Sequence, residues 1–286
     1  MASYPVNGKI AMVTGAARGI GFGTAQELTK RGATVVVVDL DQSAADEAAE
    51  RLGPDAMGIG ADVTDHGAMR AAVAATVERY GRLDIVMANA GIASTAATVN
   101  AMSGESAERV LDVNLHGVYR TVTAALPEII RNKGHVVVVA SVYAFANGVG
   151  TAPYAMAKAG VEQLGRALRV ELAQHGAGAS VAYFGFIDTE MVRRGIDQDP
   201  LSGKVWENTP KILHKRLQPS QAGTGVVDGI EKRAPRIIRP RRWAVFSVLR
   251  GILNPLLDTA MVRDAGTQEF AAELDKRGDQ EQATTA

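Results

Sequence analysis

Cysteine is absent from the 286-residue sequence, which excludes disulfide staples and thiolate metal sites. A surplus of either charge is absent too. Lys+Arg and Asp+Glu are both 31, so net charge gives no argument for nucleic acid as a partner. No uncharged apolar run reaches the ~18 residues that a membrane span needs. The opening residues, MASYPVNGKIAMVTG, lack the charged, then apolar, then small pattern of a secretory signal. Repeats of solenoid length and low-complexity linkers are also missing. These absences predict a soluble, cytoplasmic protein.

Hydrophobic residues make up 47%, enough for a substantial core, and the length suits one large α/β domain with a C-terminal addition. Short β-branched runs alternate with helix-period segments. The strand candidates are 9–14, 34–39, 56–62, 83–89, 135–141 and 180–184; helical patterns cover 19–31, 42–52, 65–80, 105–132 and 152–174. Runs such as VVVV show no alternation, so both faces of those strands are expected to be covered. The pattern reads as a parallel sheet with helices on both sides. The last residues, KRGDQEQATTA, are polar and are expected to fray.

TGAARGIG (14–21) follows the first strand and opens the first helix. Gly15 permits the tight turn, Gly19 lets the backbone approach a pyrophosphate, and Gly21 lets helix and strand pack closely. The helix N-terminus offers unpaired N–H groups to phosphates. No Gly-Lys-Ser/Thr ending follows, which argues against a P-loop. Asp39 ends the second strand, 20 residues after Gly19, where an acid binds both ribose hydroxyls of NAD and repels the 2′-phosphate of NADP. Its alternative is an N-cap for the helix at 42–52. Arg18 would suit a 2′-phosphate instead. On balance NAD is expected, with NADP the lesser choice.

Ligands of such sheets sit outside the C-terminal strand ends. Asn89 ends the fourth strand in MANAG and Ser141 ends the fifth in VVVAS. Tyr154 follows 13 residues after Ser141, and Lys158 lies one helical turn further on the same face. A hydroxyl, a phenol and an ammonium thus converge. Oxidising an alcohol requires a base for the hydroxyl proton, and a phenol with a pKa of about 10 is too weak near neutrality. Lowering it by roughly three units takes about 4 kcal/mol, within reach of Lys158 plus a cationic nicotinamide in a dry site.

With these motifs together, the sequence resembles the short-chain dehydrogenase/reductase family, in the group with TGxxxGxG and YxxxK, over about residues 7–235. The resemblance implies an α/β, Rossmann-type doubly wound parallel sheet of about seven strands in a single domain with a C-terminal helical extension. It divides the chain into a dehydrogenase domain at 1–240, with a substrate lid at about 189–216, and an extension at 241–286. It implies a catalytic tetrad of Asn114, Ser141, Tyr154 and Lys158, with Asn114 anchoring a relay water through a helix distortion. The implied cofactor-binding set is Gly15, Arg18, Gly19, Ile20, Gly21, Asp39, Asp62, Val63, Asn89, Gly91, Tyr154, Lys158, Ile187 and Thr189. Asp62 and Val63 would lie beside adenine, and Ile187 and Thr189 at the carboxamide. Tyr143 matches no catalytic position; it reads equally as pocket wall or as packing.

Two departures stand out. Phe184 replaces the family's usual proline in FGFIDTEM, which frees φ and adds an N–H. The C-terminus places a basic cluster (Arg236, Arg239, Arg241, Arg242) around a seventh strand at 235–240, ahead of apolar residues at helical spacing from 245 to 256. This segment could rest on anionic lipid, cover the substrate mouth or meet another subunit. The last two together are favoured, because charge runs mark solvated surface. Arg250, Asn254, Pro255 and short length count against a span. In the lid, Met191, Val192, Ile196, Val205, Trp206, Ile212 and Leu213 suit an apolar pocket.

The sequence therefore predicts an NAD-dependent oxidoreductase for a lipophilic secondary alcohol or ketone. A non-catalytic dinucleotide-binding regulator of the same fold is the alternative, against which the complete tetrad speaks. A serine hydrolase lacks its G-x-S-x-G around Ser141, and the five histidines show no zinc-ligand pairing. No metal and no nucleic acid are expected. A homodimer or homotetramer is expected from the family habit, through helices 105–132 and 152–174, with Ala155, Ala157, Ala159 and Gly160 allowing close approach.

Overall fold

The structure, a computed structural model, describes residues 3–93, 95–201 and 214–285. Seven strands form one parallel sheet in the order β3-β2-β1-β4-β5-β6-β7. They are β1 (Ile10–Thr14), β2 (Thr34–Asp39), β3 (Met57–Gly60), β4 (Ile85–Ala88), β5 (His135–Ser141), β6 (Gly178–Phe184) and β7 (Arg236–Arg239). The order reverses between β1 and β4, and a crevice opens there at the strands' C-terminal ends.

Helices cover both faces, which is why the VVVV runs carry no alternation. Val36 and Val38 enter a core with Met69, Val118 and Val161, whereas Val35 and Val37 enter a second with Phe22, Ala45 and Val226. The first core lies under α3 (His66–Tyr80), α5 (Gly117–Arg131) and α6 (Ala152–Glu171). The second lies under α1 (Gly19–Lys30), α2 (Gln42–Leu52) and α7 (Pro219–Glu231). Register is direct: Met12 pairs with Val36 on one side and Val86 on the other.

Local structure refines the sequence reading at several points. The helix expected at 105–132, with the distortion at Asn114 that the resemblance implied, is α4 (Gly104–Leu111) and α5 joined by a π-helical turn, Asp112–His116. The helix α7 was not among the segments named from the sequence; its Gly223 touches the α1 backbone so closely that a Cβ there would lie 2.2 Å from the Gly23 carbonyl oxygen. The cap of α2 is Asp41, whose side chain accepts from the Ser43 and Ala44 amides, leaving Asp39 free of that task. Residues 276–285 of the polar tail belong to a helix, α9 (Ala265–Thr285), which follows α8 (Trp243–Arg263).

Among the described residues, α8 is long and apolar enough to cross a membrane by length and composition. The short length held against a span is thus corrected: α8 has 21 residues, about 30 Å. One of its sides is docked on the domain. Trp243 and Ser247 are buried, and Arg250 meets the buried Glu162 of α6 with two hydrogen bonds of 2.8 and 2.7 Å.

Candidate functional site

The glycine loop is shaped by contacts that exclude side chains. Gly15 (φ +61°) would place a Cβ 2.8 Å from the Ala90 Cα, and Gly21 would place one 2.3 Å from the Gly15 carbonyl oxygen. Asn89 closes this knot, its Nδ2 donating to the Thr14 and Gly15 carbonyls at 2.8 and 3.0 Å. Gly19 (φ +59°) instead opens onto the crevice, with only the Thr189 side chain within 4 Å of its would-be Cβ. Here α1 begins without a side-chain cap, so its first N–H groups are left for a ligand.

At the end of β2, Asp39 accepts from the Ala17 amide through Oδ2 and from the Leu40 amide through Oδ1, both at 2.9 Å. Arg18 turns away to an ion pair with Glu190 at 2.6 Å. Asp62 is exposed and accepts from the Thr64 amide at 2.8 Å, while Val63 is buried against Gly117.

On the other side of the switch point, the π turn carries Asn114, which is fully buried. Its Oδ1 accepts from the Ile92 amide (2.9 Å) and its Nδ2 donates to the Ile92 carbonyl (2.8 Å). Gly91 makes room for this clamp, since a Cβ there would lie 2.6 Å from Asn114 Oδ1. Ser141 ends β5; its hydroxyl accepts from the Tyr143 amide at 3.2 Å and donates to the Phe184 carbonyl at 3.4 Å. Tyr154 and Lys158 share one face of α6, with the Lys158 Nζ 5.5 Å from the Tyr154 ring centroid. Lys158 is 3% exposed and donates to the Val139 carbonyl at 2.9 Å.

Burial pushes the Tyr154 phenol up to about 12; a hydrogen bond with Ser141 opposes this and Tyr143 adds to it. Burial also pulls Lys158 down to about 8. The lowering of tyrosine expected from the sequence is therefore not supplied by the protein's own groups. At about 8 Lys158 stays charged near neutral pH, but it does not offset the burial of the phenol.

Phe184, in place of proline, stays inside β6, paired with Ser141 of β5 and Arg239 of β7. The bend falls at Gly185, where a Cβ would sit 2.4 Å from the Trp243 indole nitrogen. Ile187 is buried and bridges to Leu217, and Thr189 caps the short turn at Glu190–Val192.

Every expected site residue except Gly21, which packs behind the loop against Gly15 and Asn89, borders one cleft of about 1500 Å³. Its far end is apolar. Tyr143, Met191, Val192, Phe186, Trp243 and Phe246 line it, and Tyr143 stands edge-on to Tyr154 with centroids 6.0 Å apart. Tyr143 is thus both wall and packing. Val205, Trp206, Ile212 and Leu213 of the expected lid, and the Ile196 side chain, lie outside the described residues. Among the described residues no group of three His, Asp or Glu converges as a metal ion would need. His135 is a packing residue: fully buried, 2.8 Å from the Ser180 hydroxyl, and pulled down to about 3 by burial.

One use weighed for the 245–256 segment, covering the cleft mouth, agrees with Phe246 and Asn254, which line the cleft; sequence reasoning missed that the wall runs on through residues 257–277. Leu257, Met261, Thr267 and Phe270 line the cleft, and Asn147 donates to Asp258 at 2.9 Å. Arg277 pairs with Asp199 and donates to the Ala96 carbonyl at 3.0 Å, and Thr98 binds Asp275. The signal was the apolar pair Phe270 and Leu274, four residues apart; both are buried.

The family profile described as short chain dehydrogenase matches residues 9–199. The chain is 39% identical over 237 residues to the short-chain reductase protein NovJ of Streptomyces niveus, covering 81% of this chain and 87% of that one. It is 35% identical over 207 residues to (-)-trans-carveol dehydrogenase of Rhodococcus erythropolis, covering 66% and 74%. The crystal structure of a 3-ketoacyl-(acyl-carrier-protein) reductase from Brucella melitensis, complexed with NADH, superposes with a TM-score of 0.70 at 26% identity, over 82% of this chain and 99% of that chain. With the sheet order, the glycine knot and the Ser–Tyr–Lys face in hand, these matches make the chain an oxidoreductase of the short chain dehydrogenase family.

Proposed function

We propose that the protein interconverts a lipophilic secondary alcohol and its ketone with NAD as the preferred cofactor. One observation carries this reading: Asn114, Ser141, Tyr154 and Lys158 border the same cleft as the glycine loop and Asp39. The glycine cradle fits a dinucleotide, because added Cβ atoms would fill it or collide with its own backbone. The uncapped start of α1 would hold the pyrophosphate, Asp39 the adenine ribose, Asp62 and Val63 the adenine, and Ile187 and Thr189 the carboxamide end. NAD, when bound, supplies the hydride acceptor and positive charge beside the phenol.

Tyr154 and Ser141 then hold the substrate oxygen. Tyr154 takes the hydroxyl proton as hydride leaves the same carbon, and returns it in the reduction direction. Lys158 and the π turn at Asn114 mark the route by which that proton reaches water. Preference for NAD is supported by the Asp39 carboxylate and by the engagement of Arg18 with Glu190. The apolar end of the cleft supports a lipophilic substrate, as does a relative named for carveol.

We place the activity in the cytoplasm and assign it to a dimer or tetramer. In the single chain, Ala157 is buried and Gly160 faces Leu115, so those two serve internal packing, while Tyr119, Ala159 and Met156 remain exposed for a second subunit. The test is fluorescence titration with NADH and with NADPH, followed by assays on lipophilic secondary alcohols and on polyols. Binding of neither dinucleotide overturns the cofactor, and turnover of polyols alone overturns the substrate class.

A further inference from the structure

α8 has two unlike sides. Trp243, Ser247, Arg250 and Asn254 face the domain, recurring every third or fourth residue. On the opposite side Val245, Val248, Ile252 and Leu256 follow the same period and are 64%, 67%, 67% and 64% exposed. Leu249, at 42%, widens this strip. The exposed Arg241 stands one turn before Val245; Arg263, two turns after Leu256, is exposed too and is followed by the exposed Asp264. From Lys232 to Leu257 the sequence carries seven Lys and Arg residues and no Asp or Glu.

We propose that this outer face of α8 docks on an anionic lipid surface, with the helix lying in the plane of the membrane. An apolar strip of this width is unusual on a solvated surface and marks a contact site. Its chemistry selects lipid over protein. The strip is wholly aliphatic, without the Tyr, Trp, Phe or Met that anchor protein interfaces, and it offers no hydrogen-bonding group between its ends. Lipid tails make no such demand, and cations flanking an aliphatic face match anionic headgroups. The anchoring of the inner side by Arg250 and Glu162 keeps the helix along the domain rather than across a bilayer. Since that inner side walls the cleft, docking would set the substrate end beside the membrane, where lipophilic molecules concentrate.

The test is flotation of the full chain with vesicles of phosphatidylcholine alone and of phosphatidylcholine with phosphatidylglycerol. The protein is expected to float with the anionic vesicles. Ile252→Glu with Leu256→Glu should lower the bound fraction about tenfold or more, and Arg241→Gln about fivefold at low salt. Both substitutions are at exposed positions, so an unchanged thermal midpoint shows that lost flotation is not lost fold. No flotation of the wild type, or undiminished flotation of the double variant, overturns the proposal. A wild-type oligomer that the double variant splits, seen by light scattering, also overturns it, for the face then belongs to a second copy. The readout needs no cofactor or turnover, so it stands or falls apart from the proposed reaction.

Discussion

The Asp39 carboxylate is tied to the Ala17 amide at 2.9 Å, so the end of β2 and the glycine loop form one rigid corner. One oxygen is spent on the loop, and the other accepts from the Leu40 amide. The acid is therefore held in one orientation, which under the proposed role at the adenine ribose would lower the ordering cost of binding.

Asp39→Ala should weaken NADH binding about tenfold and leave NADPH binding equal or tighter, because a charge-assisted hydrogen bond and a repulsion vanish together. Parallel fluorescence titrations read the ratio. An unchanged NADH/NADPH ratio would show that another residue selects the cofactor.

Tyr154→Phe should reduce turnover by about 10²–10⁴-fold while NADH affinity stays within a few fold. Loss of both at once would make Tyr154 a binding residue and remove it as the acid/base. Turnover and quenching assays on the same preparation separate the two.

Lys158 gives a pH signature in stability. Its folded value is about 8 against 10.5 for the free side chain, so between those values the unfolded chain holds more protons than the folded one. Stability then rises with pH. The burial cost, about 3 kcal/mol, is fully present below pH 8 and gone above 10.5. Urea unfolding of the wild type against Lys158→Met should show Lys158→Met ahead at neutral pH and the gap closing through that window. A constant gap would contradict a buried, charged lysine. Tyr154 acts in the opposite sense above pH 10, where its raised value makes stability fall, and Lys158→Met carries that contribution too, so it cancels in the difference.

Arg250→Met should cost about 2 kcal/mol, less than a fully buried pair, since Arg250 is 35% exposed. It leaves the buried Glu162 with only Arg166, 3.9 Å away. Hydrogen exchange should quicken along α8, and KM for a lipophilic ketone should rise more than kcat falls. Adding Glu162→Gln should recover part of the stability. No change in α8 exchange would mean that Trp243 alone holds the helix.

Much of the sheet was legible because its strands are local events. TVVVVD needs only its own composition to read as doubly covered, and the spacings from Gly19 to Asp39 and from Tyr154 to Lys158 are set by single units of strand or helix. What escaped depends on partners distant in sequence. α7 is written in glycine because α1 presses on it, and Gly185 is needed by Trp243, 58 residues later. Arg18 meets Glu190 across 172 positions, a partner that its own neighbourhood in the sequence does not announce. The 257–277 wall reads as an ordinary polar-apolar mixture until the loops it touches at Ala96, Thr98 and Asp199 are placed.

That wall has a consequence for the order in which the protein matures. The last strand ends at Arg239, whereas the clasp on Asp199 comes from Arg277. At about 5–20 residues per second, a ribosome takes a few seconds to make the intervening stretch. The glycine-loop end of the cleft is built from residues made before α8, whereas its apolar end is walled in part by residues made after it. A chain that stops in α8 would carry all seven strands and the glycine loop but not the Arg277 clasp that closes the other end.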